Sequence, residues 1–104
     1  MAKTNDQEML ESKWFVYIVK TSCDTLYTGI TTDIERRFKE HLQCFMGQSN
    51  KGAKYFRGKE PKGIVYQERC KSRSVASQRE YQIKKMTALK KRALIDFDLS
   101  KISN

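Results

Sequence analysis

The chain has 104 residues, which leaves room for one domain. Twenty-one Lys and Arg oppose twelve Asp and Glu, and the resulting net charge of +9 is spread along the chain rather than confined to a tail. A basic folded surface attracts phosphate-bearing polymers, although charge alone also allows anionic membranes and acidic proteins as partners. We therefore expect a nucleic-acid-binding protein.

The cysteines argue against a disulfide framework. Cys23, Cys44 and Cys70 are odd in number and contain no CxxC pair, and a zinc site built from them and His41 would lack the usual short ligand pairs. We expect free thiols and no disulfide partner.

The first dozen residues are polar, and no apolar run approaches the roughly 18 to 20 residues of a membrane span, so we expect no membrane association and a cytoplasmic location.

The first structured part of the chain is predicted to be a β-hairpin. Residues 1–12 are mixed and polar and predict a loose N-terminal extension. Residues 14–20 and 25–31 are rich in aromatic and β-branched side chains, with a polar stretch between them. If these strands pair, Tyr17 and Tyr27 lie close together on one face of the sheet, although that depends on the register.

A helix is predicted to follow the hairpin. Thr32 stands three residues before Glu35, the spacing of a capping box for a helix that begins near residue 33. Its apolar face recurs at helical spacing and comprises Ile34, Phe38, Leu42 and Phe45. At about 100° per residue, Arg36 points to the solvated side, whereas Arg37 and His41 lie roughly 55 to 95° from the centre of the apolar face. They are therefore expected at its margin.

A basic loop is predicted over residues 47–58, which contain three glycines among polar and basic side chains. Tyr55 and Phe56 lie between Lys54 and Arg57 in this loop. Nucleic-acid bases could stack on the two rings, but aromatic residues that anchor a loop to the core are the more common case.

The rest of the chain predicts one strand and two helices. Residues 63–68 favour a strand, and helices are expected at 74–86 and 88–97. The candidate N-cap residues are Ser72 or Ser74 for the first of these helices and Thr87 for the second. We predict an α+β fold, with helices packed on a small three-stranded, mainly antiparallel sheet. The domain is expected over residues 13–98, with a short C-terminal tail at 99–104.

Several short motifs together resemble the GIY-YIG nuclease superfamily. The hairpin carries Val16-Tyr17-Ile18 and Tyr27-Thr28-Gly29, an arginine follows ten residues after the second tyrosine, and a glutamate lies on a later helix. The stretches LYTGITTDIERRFKEH, GAKYFRG and SRSVASQREYQIKKM are similar to the small stand-alone bacterial, UPF0213-like branch of that superfamily. The resemblance covers residues 14 to about 95.

The resemblance implies an active centre formed by Tyr17, Tyr27, Arg37, His41 and Glu80. Arg37 would stabilise the scissile phosphate, His41 would assist, and Glu80 would bind one divalent metal, Mg²⁺ or Mn²⁺. The general base would be a tyrosine or His41. Which tyrosine acts stays open at this stage.

The chain departs from the family pattern at several positions. Val16 replaces a glycine of the first motif, Thr28 replaces an isoleucine of the second, and Ile30 stands where some relatives carry a lysine. In the helix predicted at 74–86, Arg79 falls within the apolar stripe of Val75, Ala76, Ile83 and Met86. Glu80 lies at the margin of that stripe, where it could simply pair with Lys84.

The sequence thus predicts a metal-dependent nuclease acting on DNA, with Lys54, Arg57 and Arg73 in contact with the nucleic-acid backbone. One alternative is a non-catalytic DNA- or RNA-binding module of the same fold. Another is an adaptor that docks an acidic protein, which explains the charge but not the set of tyrosine, arginine and glutamate. A requirement for a protein partner in targeting stays open.

Overall fold

The computed structural model describes residues 13–103, and only the backbone of residues 98–103. The extension predicted for residues 1–12 lies outside the described residues. The elements in chain order are β1 (Trp14–Thr21), β2 (Leu26–Thr31), α1 (Ile34–Phe45), a short 3₁₀ helix (Lys54–Arg57), β3 (Pro61–Cys70), α2 (Arg73–Lys84) and α3 (Ala88–Ser103). The prediction of an α+β fold with a three-stranded sheet is confirmed. No helix in the described part of the chain is long and apolar enough to cross a membrane.

Strand β1 is the centre of the sheet. The strand order is β2-β1-β3, and β1 pairs antiparallel with both neighbours. Val16 and Ile18 pack in one core cluster with residues of α2 and α3, whereas Tyr17 and Val19 pack in a second cluster with residues of α1 and the 3₁₀ helix. Because both faces of β1 are covered, its sequence is an almost continuous apolar run instead of an alternating one.

Helix α1 is capped one residue later than predicted. The Asp33 carboxylate accepts a hydrogen bond from the backbone N–H of Arg36 at 3.0 Å, so Asp33 and not Thr32 is the N-cap. The N-cap of α2 is Ser72, whose hydroxyl accepts from the N–H of Val75 at 3.2 Å. The hydroxyl of Thr87, the residue before α3, accepts from the N–H of Lys90, as expected of the predicted N-cap.

Some elements extend beyond their predicted bounds. Strand β3 is longer than residues 63–68 at both ends, and α3 continues past residue 97 to Ser103, so most of the tail predicted at 99–104 is helical. Val75 was expected in the apolar stripe of α2, but it is 42% exposed. The stripe is therefore narrower than its sequence pattern suggests.

Arg79 interrupts that stripe because it has a partner on the sheet. Its Nε donates to Oε1 of Glu68 on β3 at 2.9 Å, and the Tyr66 hydroxyl donates to the same oxygen at 2.9 Å. A charged side chain is tolerated at the edge of a core when it is paired and hydrogen-bonded in this way. The pairing also directs this side of α2 toward β3.

Gly29 allows the ring of Tyr17 to lie across strand β2. The two residues are directly opposite in the β1–β2 register. A Cβ atom at position 29 would lie 2.6 Å from the Tyr17 hydroxyl oxygen and 2.8 Å from Cζ, so the tyrosine ring would have to shift to accommodate it. The glycine is thus required by the close approach of the ring.

We predict that Gly29→Ala destabilises the protein by about 1 to 3 kcal/mol, because the added methyl group must displace a buried tyrosine. Gly63→Ala is the matched control, since a Cβ atom at this position of β3 meets nothing within 4 Å. Urea unfolding of both variants measures the difference. Equal losses in the two variants would contradict the assigned packing of Tyr17.

Candidate functional site

Four of the five side chains predicted for the active centre lie together between the hairpin and α1. The rings of Tyr17 and Tyr27 are 6.3 Å apart, and His41 is 5.3 Å from Tyr27, centroid to centroid. The Tyr17 hydroxyl is hydrogen-bonded to Nε2 of His41 at 2.8 Å. Arg37, one helical turn before His41, acts electrostatically on both phenols. The register that was assumed for the hairpin therefore brings the two tyrosines together.

His41 is more deeply buried than expected. Its phase on α1 predicted a position at the margin of the buried face, but the side chain is fully enclosed. Burial lowers the pKa of His41 to about 4, with a further contribution from the charge of Arg37, so the ring is neutral at pH 7. Its Nδ1 atom has no hydrogen-bond partner among the described residues. The neighbouring side chains therefore separate His41 from the solvent.

The aromatic pair of the basic loop anchors that loop to the site. The ring centroid of Phe56 is 4.4 Å from that of His41, and the centroid of Tyr55 is 5.3 Å from that of Tyr27. The Tyr55 hydroxyl also donates to Oγ1 of Thr25 at 2.7 Å. The two rings are thus part of the core, which was the more common of the two alternatives.

Arg37 is held by two acceptors. Its Nη1 donates to Oε1 of Glu40 at 2.7 Å and to the carbonyl oxygen of Lys51 at 2.7 Å. Burial alone would lower the pKa of Arg37, but the hydrogen bond to Glu40 and the neighbouring Tyr17 outweigh it, and the pKa is raised. The guanidinium is therefore a permanent cation beside the phenols. Neither acceptor was foreseen from the sequence.

Both phenols are held in the protonated state. Burial raises the pKa of Tyr17 and of Tyr27, and the negative charge of Glu80 adds to the effect at each ring. The positive charge of Arg37 opposes it at both. The two rings differ in access, since Tyr17 is 1% exposed whereas Tyr27 is partly exposed.

Glu80 is contributed by α2, close enough for its charge to act on both tyrosines. Its Oε2 is 3.2 Å from Nζ of Lys84, so the ordinary i, i+4 ion pair is formed as well. Within residues 13–97, no group of three or more His, Cys, Asp or Glu side chains is placed to hold a metal ion. A lone carboxylate fits a cation such as Mg²⁺, which keeps several waters and takes further oxygens from a phosphate. The donor set does not fit a cation that requires a cage of protein ligands.

The three basic residues predicted to bind nucleic acid lie on two elements. Lys54 and Arg57 are exposed on the 3₁₀ helix, on either side of the anchoring aromatic pair. Arg73 begins α2, and its guanidinium carbon is 5.7 Å from the centroid of the Trp14 ring. Their contact with nucleic acid stays a prediction.

Because His41 is buried in its neutral form, we predict that the free energy of unfolding decreases as the pH falls. The unfolded side chain binds a proton at a pKa near 6.5 and the folded one near 4. As the pH falls from 6.5 to 4, the unfolded state gains protons first and unfolding becomes easier, by about 3 kcal/mol in total. The His41→Gln variant cannot titrate there, and it isolates this contribution from that of the carboxyl groups.

The measurement is the free energy of unfolding by urea at a series of pH values from 7 to 4 for both proteins. The gap between the wild-type protein and the variant should shrink steadily below pH 6.5. A constant gap would show that the folded protein takes up the proton as readily as the unfolded chain.

Comparison with known proteins identifies the family of the chain. The GIY-YIG catalytic domain matches residues 13–93. A UPF0213 protein of Desulfotalea psychrophila is 51% identical over 82 residues, which cover 79% of this chain and 70% of the relative. The UPF0213 protein YhbQ of Escherichia coli K12 is 43% identical over 82 residues, which cover 79% and 76%.

A solved structure agrees with the sequence matches. The solution NMR structure of a UPF0213 protein from Bacillus halodurans is 35% identical, covers 82% of this chain and 84% of its own, and superposes with a TM-score of 0.50. The chain therefore belongs to the GIY-YIG family, within its group of small UPF0213 proteins.

Proposed function

We propose that the protein is a metal-dependent nuclease that hydrolyses phosphodiester bonds of DNA. The observation that supports this most strongly is the convergence of Tyr17, Tyr27 and Arg37 with the charge of Glu80, in a chain of the GIY-YIG family. Phosphodiester hydrolysis needs an activated water, compensation of the charge that builds on the phosphoryl oxygens, and help for the leaving oxygen. The side chains around the phenols can meet these needs.

Arg37 stabilises the charge on the phosphate in this proposal. Its bonds to Glu40 and to the Lys51 carbonyl both use Nη1, and the guanidinium also interacts with the two phenols. A guanidinium has five N–H donors, so donors are left for the oxygens of a phosphate. The guanidinium keeps its charge across the physiological pH range because its pKa is raised. Such a fixed donor contributes most when negative charge grows in the transition state.

Tyr27 is assigned as the general base that contacts the attacking water. A base must be reached by water, and of the two phenols Tyr27 is the partly exposed one. Tyr17 and His41 are enclosed and bonded to each other, so they position the phenol instead of meeting the substrate. A buried histidine with a pKa near 4 is also a weak base at pH 7.

Glu80 would hold the divalent metal, Mg²⁺ or Mn²⁺. When bound, the cation would compensate the carboxylate charge that raises the pKa of both phenols and would coordinate oxygens of the scissile phosphate. Lys54, Arg57 and Arg73 are proposed to contact the DNA backbone beside this centre. Their charges suit phosphate groups and carry no base-specific information.

Substitution of the two charged residues tests the proposal. Arg37→Ala and Glu80→Gln should each lower the rate of DNA cleavage by a factor on the order of 100 or more. The matched controls are Arg36→Ala and Glu35→Gln, exposed positions of α1 at which cleavage should be unchanged. The assay uses labelled single-stranded, duplex and branched DNA with Mg²⁺, with Mn²⁺ and with chelator.

The same assay separates the alternative, a non-catalytic DNA- or RNA-binding module. If no metal produces cleavage while the wild-type protein and both variants bind DNA equally well, the catalytic proposal fails and the binding module stands. Cleavage that persists in both variants would identify a contaminating nuclease.

The base assignment predicts an alkaline pH dependence. A phenol with a pKa above 10 is protonated at pH 7, and only its ionised form can accept a proton from water. The value of kcat/KM should therefore rise by about tenfold per pH unit between pH 7 and 9. Tyr27→Phe should abolish this rise, whereas Tyr17→Phe should lower the rate but keep the slope. A flat profile above pH 7 in the wild-type protein would exclude tyrosine as the base.

A further inference from the structure

The segment that follows α1 approaches the helix closely beside Arg37. A Cβ atom at Gly52 would lie 2.6 Å from the carbonyl oxygen of Glu40 and 2.6 Å from Cβ of Cys44. Only a residue without a side chain fits between the segment and the helix. Because Gly52 does not have a positive φ, the close approach itself requires the glycine.

Hydrogen bonds hold the segment on both sides of Gly52. The carbonyl oxygen of Lys51 accepts from Nη1 of Arg37 at 2.7 Å, and the carbonyl oxygen of Ala53 accepts from the Cys44 thiol at 3.5 Å. The N–H of Lys51 donates to Oγ of Ser49 at 3.1 Å. The Lys51 carbonyl, a backbone group, is therefore held in a segment that is bonded on both sides of Gly52.

Glu40 completes the contact from the helix. Its Oε1 accepts from the same Nη1 atom of Arg37 at 2.7 Å, and the Arg37 side chain is only 26% exposed. Oε2 of Glu40 is 3.9 Å from Nε of Arg36, a weak contact with an exposed side chain. Two acceptors on one nitrogen fix both the position and the rotation of the guanidinium plane.

We infer that Glu40 and Gly52 are positioning residues that act through Arg37. We call the Glu40 carboxylate, the Lys51 carbonyl and the Gly52 contact the arginine seat. The seat holds the guanidinium by Nη1 beside the two phenols, and the N–H groups that remain can donate to oxygens of a phosphate group. A guanidinium already held in its working orientation loses less freedom when it meets that phosphate.

The segment that contains Gly52 combines a glycine with an aromatic pair, and both contribute to the position of Arg37. Residues 52–58 form the GAKYFRG stretch, whose aromatic pair packs against Tyr27 and His41. The rings fix the end of the segment to the site, and the glycine at its start lets the Lys51 carbonyl reach Arg37. The segment therefore orients a side chain on another element.

The first test observes the guanidinium itself and does not depend on catalysis. In ¹⁵N-labelled protein, the N–H groups of Arg37 should give NMR signals that show slow rotation of the guanidinium. In Gly52→Ala and in Glu40→Ala, the guanidinium should rotate faster. The N–H signals of Arg37 should then broaden or average with one another, as they do for an unrestrained arginine. Gly58→Ala is the control, since it lies in the same loop and a Cβ atom there meets nothing within 4 Å.

The second test rests on the proposed nuclease function. Gly52→Ala and Glu40→Ala should lower kcat by a factor of about 10 to 100, with DNA affinity in chelator unchanged, because a displaced arginine loses transition-state contacts before it loses ground-state attraction. Glu40→Gln should restore the rate, since the amide oxygen still accepts from Nη1. Rescue by glutamine separates positioning from any role of the carboxylate charge.

The outcomes test the arginine seat and the nuclease function separately. Signals of Arg37 that are already averaged in the wild-type protein, or that Gly52→Ala leaves unchanged, overturn the arginine seat. If the Arg37 signals change as much in Gly58→Ala as in Gly52→Ala, the arginine seat is overturned as well. If Gly52→Ala fails to fold, Glu40→Ala with its glutamine rescue decides. A wild-type protein that does not cleave DNA refutes the nuclease function, while the NMR comparison still tests the seat.

Discussion

The contact between Tyr17 and Gly29 is the constraint on which the site depends. The β1–β2 register places the two residues opposite each other, and the missing side chain lets the tyrosine ring cross the neighbouring strand. From there its hydroxyl reaches His41 at 2.8 Å, so one hydrogen bond joins the sheet to helix α1 inside the core. The opposite ring nitrogen, Nδ1 of His41, has no hydrogen-bond partner among the described residues, and an unsatisfied buried group of this kind costs about 1 to 3 kcal/mol. Costs of this kind are typical of sites shaped by function.

Each charge of the site is already paired within the protein. Arg37 is bonded to Glu40, and Glu80 contacts Lys84, while the two charges act with opposite sign on the same phenols. Burial is the largest cause of the raised pKa of both phenols, so they stay protonated in the free protein. A phosphate that approaches Arg37 adds negative charge near them and would strengthen this state, so a base in this site requires compensation on the side of Glu80. In the proposed nuclease, this is a physical reason for one arginine and one carboxylate to act on the same phenols from separate elements.

Much of this arrangement could be predicted because it follows local periodicity. The hairpin is apparent from its aromatic and β-branched runs, and helical phase distinguished Arg37 from Arg36. Other features depend on contacts between distant segments. The full burial of His41 depends on Phe56 covering it, and the bond to the Lys51 carbonyl leaves no mark on the sequence because every residue has a carbonyl group. The cap of α1 was misassigned because Thr32 and Asp33 are both good N-cap residues and only the backbone geometry distinguishes them.

The loop after α1 contains aromatic residues that pack into the site and basic residues that are exposed, and the two kinds lie next to each other in the sequence. Tyr55 and Phe56 point into the aromatic cluster, while Lys54 and Arg57 beside them are exposed. The same short segment thus provides basic groups at the surface and, through Lys51 and Gly52, an acceptor for the buried side of Arg37. The exposed basic groups, the aromatic anchors and the acceptor for Arg37 therefore share one short stretch of backbone, because glycine and aromatic residues alternate with basic ones in this part of the chain.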